Sequence, residues 1–208
     1  VVAANVNAVR VRLTVEAAPA KRVPTHDDIW LMKRVGAPLV SPDGRWLVVS
    51  VVEPAYEEGA QLSDLWLVDT TARLSSRRLT STRRPETGVI WSPDSRRIVF
   101  SAQRDADEVV QLYSLDLASG GEAQRLTNLS GGARAPVFSH DGKHIAFVSI
   151  MFPGARDDAA NAARIAEYRA RKSNARIYNG FPIRNWDRWL DERQPRIFVQ
   201  ALDDDGLA

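Results

Sequence analysis

Apolar and polar positions alternate in short runs along most of the chain, with turns rich in Gly, Pro, Asp and Ser between them. That is the pattern of half-buried strands rather than of long amphipathic helices. Three of the runs are copies of one another: APLVSPDGRWLVVSV from Ala37, GVIWSPDSRRIVFSA from Gly88 and APVFSHDGKHIAFVS from Ala135. Their serines, Ser41, Ser92 and Ser139, stand 51 and 47 residues apart. In each copy a short strand ends in Val40, Trp91 or Phe138, a Ser-Pro-Asp-Gly type turn reverses the chain, and a second strand of mainly β-branched and aromatic residues follows. Proline presets φ for the turn, the Asp carboxylate accepts from nearby backbone N–H groups, and Gly44 or Gly142 supplies a positive φ. Ser95 replaces the glycine in the second copy and His140 the proline in the third, so His140 reads as turn drift rather than as a catalytic group.

Further strands follow in register, DLWLVDTT from Asp64 and RRLTS from Arg77 after the first copy, QLYSLDLASGG from Gln111 and QRLTN from Gln124 after the second. A repeat of this length with four strands is the unit of a β-propeller, whose blades recur about every 40–50 residues. The fold expected is therefore all-β: a partial β-propeller of about two full four-stranded blades and most of a third, with a short N-terminal helix and one helical insertion. Blade one is placed at about 37–81, blade two at about 87–128 and blade three at about 134–208, interrupted by an insertion over 153–194. The insertion begins with Pro153-Gly154 and continues as an Asp-capped helix from Asp157 to Ser173, with Ala162, Ile165, Ala166 and Arg169 roughly on one face. It is read as a peripheral decoration or as a lid over a cavity. RIFVQALDDDG from Arg196 resumes the blade as its third strand and turn, and the chain stops before a fourth, so a piece of a larger protein is expected.

Ahead of the repeats, residues 1–24 read as a disordered leader or linker. Thr25 then caps a short helix with Asp28 three residues on, and Ile29, Trp30, Met32 and Lys33 follow before Gly36 and Pro38 end it. His26, in its first turn, is taken as solvated.

Composition narrows the chemistry. At 208 residues, 44% hydrophobic and 26% charged, the chain is that of an ordinary soluble globular protein. No apolar run approaches the roughly 18 residues of a membrane span. The absence of cysteine excludes disulfides, thiolate metal sites and a cysteine nucleophile. Basic and acidic residues, 28 against 26, are interspersed, which argues against a nucleic-acid footprint. Phosphate loops, H-E-x-x-H and calcium-loop spacing are missing, Asp203 to Gly206 reads as a hairpin turn, and neither a cofactor nor a metal site is expected.

The SPDG repeats, the opening THDDIWLMKRVGAPLVSPDGRW, the SDLWLVD and RRLTS strands and the segment FPIRNWDRWLDE together resemble the N-terminal β-propeller of the prolyl oligopeptidase family of serine peptidases. The likeness is to its acylaminoacyl-peptidase and dipeptidyl-peptidase-like bacterial branch, and it covers about Thr25 to Gly206. It implies a seven- or eight-bladed propeller capping an α/β-hydrolase domain that carries a Ser-Asp-His triad, with peptides admitted to a cavity between the two. No G-x-S-x-G elbow surrounds any serine here and no histidine follows His144, so no catalytic residue is carried onto this chain. The implied partners are a C-terminal α/β-hydrolase domain of the parent protein and a peptide substrate, with no nucleic acid. The function expected is that of a propeller that gates or selects peptides for a missing hydrolase domain. The alternative is a TolB-like periplasmic protein-binding propeller without enzymatic activity. A periplasmic or secreted location is favoured over a cytoplasmic one.

Within the insertion, Arg184, Trp186, Arg188 and Trp189 are the candidate substrate-binding or domain-docking residues, flanked by Phe181, Asp187, Asp191 and Glu192. Two Trp and two Arg in six residues offer rigid contact area and bidentate recognition of carboxylates or carbonyls. The competing expectation is structural, with Trp186 and Trp189, three apart, packing a helical turn onto the propeller.

Overall fold

The computed structural model describes residues 22–202 apart from 72–74, 83, 105, 119, 174, 176, 177 and 179. Most of the leader expected over 1–24, and the whole Asp203 to Gly206 turn, lie outside the described residues. Helix α1 (His26–Trp30) starts on a capping box: the Thr25 hydroxyl accepts from the Asp28 amide, and the Asp28 carboxylate accepts the Thr25 N–H at 2.7 Å. It ends sooner than its sequence suggests. Arg34 and Val35 form strand β1 (Arg34–Val35), which pairs with residues Val52 and Val51 and so satisfies backbone groups that a longer helix would leave open.

Three antiparallel sheets follow in chain order. The first holds β1, β2 (Leu39–Val40), β3 (Trp46–Glu53), β4 (Leu62–Asp69) and β5 (Ser76–Arg78), with β1 and β2 both paired to β3. The second runs β6 (Thr87–Trp91), β7 (Arg97–Ala102), β8 (Gln111–Asp116) and β9 (Gln124–Arg125). The third begins with β10 (Arg134–Phe138) and β11 (His144–Met151). It is interrupted by helix α2 (Asp158–Ala170) and a small hairpin, β12 (Arg184–Asn185) with β13 (Arg188–Trp189). It closes with β14 (Gln194–Ala201), paired to β11 from His144↔Ala201 to Met151↔Gln194. This is the all-β, partial-propeller architecture the repeats imply.

The sheets stack face to face because alternate residues of each strand are apolar on both sides. On β7, Ile98, Phe100 and Ala102 join Val48, Leu65, Leu67 and Trp91 in one core, whereas Val99 joins Leu112, Leu126, Ile145 and Phe147 in another. Sheet two is therefore a wall shared by its neighbours. Polar links cross both junctions: Trp91 Nε1 donates to the Leu39 carbonyl at 3.0 Å, and Gln200 Nε2 to the Leu126 carbonyl at 3.1 Å. The far face of sheet three keeps the same apolar alternation, with Val148 opposite Ile197 and Ala146 opposite Val199, and Ile197 is 79% exposed. Among the described residues no helix is long and apolar enough to cross a membrane.

Candidate functional site

Antiparallel strands return the chain to the same two ends, and the ends differ in chemistry. One gathers the three Ser-Pro-Asp-Gly type turns. There Ser41, Ser92 and Ser139 each donate to the aspartate two residues on, at 2.6, 2.5 and 2.5 Å, and each accepts a backbone N–H five residues on, at 2.9–3.0 Å. The Ser41 hydroxyl and the Arg45 amide hold the Asp43 carboxyl below its ordinary range, and Ser139 with the Lys143 amide does the same for Asp141. Burial opposes ionisation of Asp94, but Ser92 and the Arg96 amide outweigh it and its carboxyl is lowered too. These serine–aspartate pairs are turn locks. Ser95, at the glycine position, adopts φ 61° and accepts the Asp43 N–H of the preceding sheet at 3.0 Å, so its hydroxyl ties two sheets together.

The other end carries the connections 54–61, 103–110 and 126–133, the helix α1 and the whole insertion. It is rich in exposed aromatic residues: Tyr56, Phe181, Trp186 and Trp189 are 57%, 93%, 92% and 52% exposed. Helix α2 is fastened here by its first turns. Asp157 caps it, Asp158 accepts from the Ser130 amide and hydroxyl, and the fully buried Asn161 accepts the Phe152 N–H at 2.9 Å while donating to Ser130 Oγ and the Ile150 carbonyl. Farther along, Arg169 meets Glu108 at 2.8 Å through side chains that are both well exposed. Ala162, Ile165 and Ala166, the face expected from the sequence, roof a cavity of about 400 Å³ whose floor includes Val109 and Leu129. A neighbouring cavity of about 200 Å³ lies between Tyr168, Phe152 and the Asp191–Arg193 ion pair.

The hairpin beyond α2 corrects the helical turn expected for the tryptophans. Arg184 pairs with Trp189 and Asn185 with Arg188 across two short strands, and Trp186 sits in the intervening turn at φ 57°. Trp186 is 92% exposed there, standing in solvent instead of packing. The Arg184 guanidinium lies 5.4 Å from the Trp189 ring centre, so these two candidates are brought together, while Trp186 stands apart. The backbone of Arg188 completes the ladder; its side chain lies outside the described residues. Asp191 binds Arg193 at 2.6 Å, and Asp187 and Glu192 are exposed.

Two buried polar groups have no advance signal in the sequence. Asp107 accepts from the Tyr113 hydroxyl at 2.5 Å and the Arg104 amide at 3.0 Å, with Arg125 at 3.3 Å in ionic contact but not aligned for a hydrogen bond. Burial first, and the Asp107 bond second, push the Tyr113 phenol up to about 12. Glu86 is 5% exposed, with burial raising its carboxyl, one oxygen accepting from Thr82 at 2.7 Å and the other unpartnered. In the repeat its position is taken by Ala133, and only that comparison marks Glu86 as unusual. Among the described residues no three metal-ligating side chains converge.

No protein-family model matches the chain. Among curated proteins it is 26% identical over 179 residues to dipeptidyl-peptidase 5 of Porphyromonas endodontalis, covering 86% of this chain and 24% of that protein. It is 32% identical over 125 residues to the uncharacterized peptidase YuxL of Bacillus subtilis, covering 60% of this chain and 19% of that one. The chain thus spans a quarter or less of the curated relatives it matches. Among solved structures, the acylaminoacyl peptidase of Pyrococcus horikoshii superposes with a TM-score of 0.61 over 86% of this chain and 24% of that one, at 12% identity. That likeness shows the fold.

Proposed function

From the premise that this chain belongs with the prolyl oligopeptidase-like peptidases, we propose that it forms the propeller portion that gates or selects peptides for an α/β-hydrolase domain of the full-length protein. The observation that carries this reading is the match of 86% of the chain to 24% of a dipeptidyl-peptidase. The geometry supports it. Exposed Phe181, Trp186 and the Arg184–Trp189 pair project from the end of the sheets that also holds the α2 cavities, where a rigid aromatic surface and a fixed guanidinium can grip a peptide or a second domain. A protein-binding propeller without a hydrolase partner is the weaker reading, because the curated relatives are peptidases. The test is peptide turnover by the full-length protein carrying Arg184→Ala with Arg188→Ala, and separately Trp186→Ala. A fall in kcat/KM of about tenfold, the size of one lost charge-assisted contact, is expected. Unchanged turnover in both variants would remove these residues from substrate selection. The 208-residue chain by itself is expected to hydrolyse no chromogenic peptide or ester.

A further inference from the structure

The two ends of the sheet stack carry the two halves of a junction that its interior makes twice. Counted from the turn serines, Val48, Val99 and Ala146 are equivalent, and the strand registers then make Leu65, Leu112 and Ile197 equivalent, as they do Leu67, Ser114 and Val199. Val48, Leu65 and Leu67 form the side that sheet one gives to sheet two, and Val99 and Leu112 the side that sheet two gives to sheet three. Leu65 and Leu112 are 1% and 0% exposed; Ile197, the same position on sheet three, is 79% exposed and Val199 67%. Val137, opposite Ala146, continues that bare face at 61%.

The opposite half of the junction is bare on sheet one. Sheet two meets sheet one through Trp91, Ile98, Phe100, Tyr113 and Leu115, all buried. Their equivalents on sheet one are Val40, Leu47, Val49, Trp66 and Val68, apolar at every position and none of them buried. Val40 is 54% exposed where Trp91 is 8%. The titratable side chains on the two free faces are Arg134 and His144 on sheet three and Glu53, Asp64 and Arg78 on sheet one. Glu53 is paired with Lys33 and Asp64 with Arg78, which leaves apolar side chains to make the contact.

A surface built as one half of a junction fits the other half. Because the two faces differ, copies of the chain that use them meet head to tail, and such contacts close when the repeated rotation returns to its start. Two copies supply six sheets of this repeat, inside the range of about four to eight that propeller rings hold, whereas three copies exceed it.

We propose that the free faces of sheets one and three bind each other between two copies of this chain, giving a closed head-to-tail dimer. Val137 then lies beside Val40 of the second copy, because Trp91, the equivalent of Val40, donates to the carbonyl of Leu39, the equivalent of Val137. The proposal does not rest on the peptidase reading.

The experiment measures the mass of the 208-residue chain by sedimentation equilibrium over a wide range of concentration, with circular dichroism confirming that each variant is folded. Twice the chain mass is expected. Ile197→Asp and Val40→Asp, both at exposed positions, should each raise the dissociation constant more than about a hundredfold, as an uncompensated charge closed into an apolar junction does. Ala118→Asp, the same change on an exposed turn of sheet two, should leave the mass unchanged. The chain has no cysteine, so a short bifunctional thiol reagent gives a second reading that needs no disruptive change. Val40→Cys mixed with Val137→Cys should cross-link to a dimer, and either variant alone should not. A monomer at every concentration would overturn the proposal and leave both faces to further repeats of a longer chain. A dimer that survives Val40→Asp, or cross-linking of one cysteine variant with itself, would overturn the head-to-tail arrangement.

Discussion

Replacing Tyr113 by Phe removes one oxygen and leaves the ring in place, stacked near Phe100 and under the Arg104 guanidinium, 4.6 Å from the ring centre. The whole effect therefore falls on the hydroxyl and its acceptor. The Asp107 side chain is 1% exposed, so it has no access to water when the 2.5 Å bond is lost. A hydrogen bond to a charged group is worth about 1.5–3 kcal/mol. Arg125 and the Arg104 amide still hold the carboxylate, which sets the expectation near about 2 kcal/mol. For a protein of this size that is a fall in Tm of about 4–8 °C, measured by thermal unfolding at pH 7. The alkaline limb gives a second reading. In the fold burial and the Asp107 bond push the phenol up to about 12 from 10.0 for the free side chain, so the folded state favours the protonated hydroxyl. A raised phenol pKa adds stability that is fully present below pH 10 and is lost as pH rises through about 12. The Phe variant should lack that loss. A Tm within 1 °C of the parent, or an unchanged alkaline slope, would refute the buried-bond argument.

The carboxyl of Glu86 is raised, so the folded protein should lose stability as pH rises from the ordinary glutamate range through the folded value. Glu86→Gln should flatten that limb in urea titrations at several pH values and match or exceed the parent's stability at pH 7; a steeper limb would contradict it. Asn161→Ala strips three hydrogen bonds from the first turns of α2 and should cost about 2–3 kcal/mol of local stability. Faster amide exchange and proteolysis within 158–173 are the measure, and protection equal to the parent's would count against the fastening described.

The turns and second strands of all three copies were legible because their signals are local: Pro, Asp and Gly act within four residues, and strand alternation needs no partner to be seen. Thr25 and Asp157 announced both helix starts for the same reason. What escaped depends on distance. Arg34 and Val35 look like the tail of a helix until β3 offers them an open edge. The Trp186 turn depends on a left-handed backbone that nothing in the letters demands of a tryptophan. Glu86 and Asp107 read as surface charges like any other, since burial is decided by sheets that meet only in three dimensions. Ser95 looks like a tolerated change at a glycine, whereas its hydroxyl answers an amide 52 residues earlier.

The alternation along β7 bears on how the molecule comes apart. On this one six-residue strand Ile98, Phe100 and Ala102 belong to one core and Val99 to the other, so sheet two carries the packing between sheet one and sheet three. Such an array behaves as a chain of nearest-neighbour couplings, in which a defect weakens one junction and leaves the next nearly intact. Truncating Phe100 should weaken the junction with sheet one; truncating Val99, the next residue, should weaken the junction with sheet three. Adjacent letters thus govern separate unfolding events.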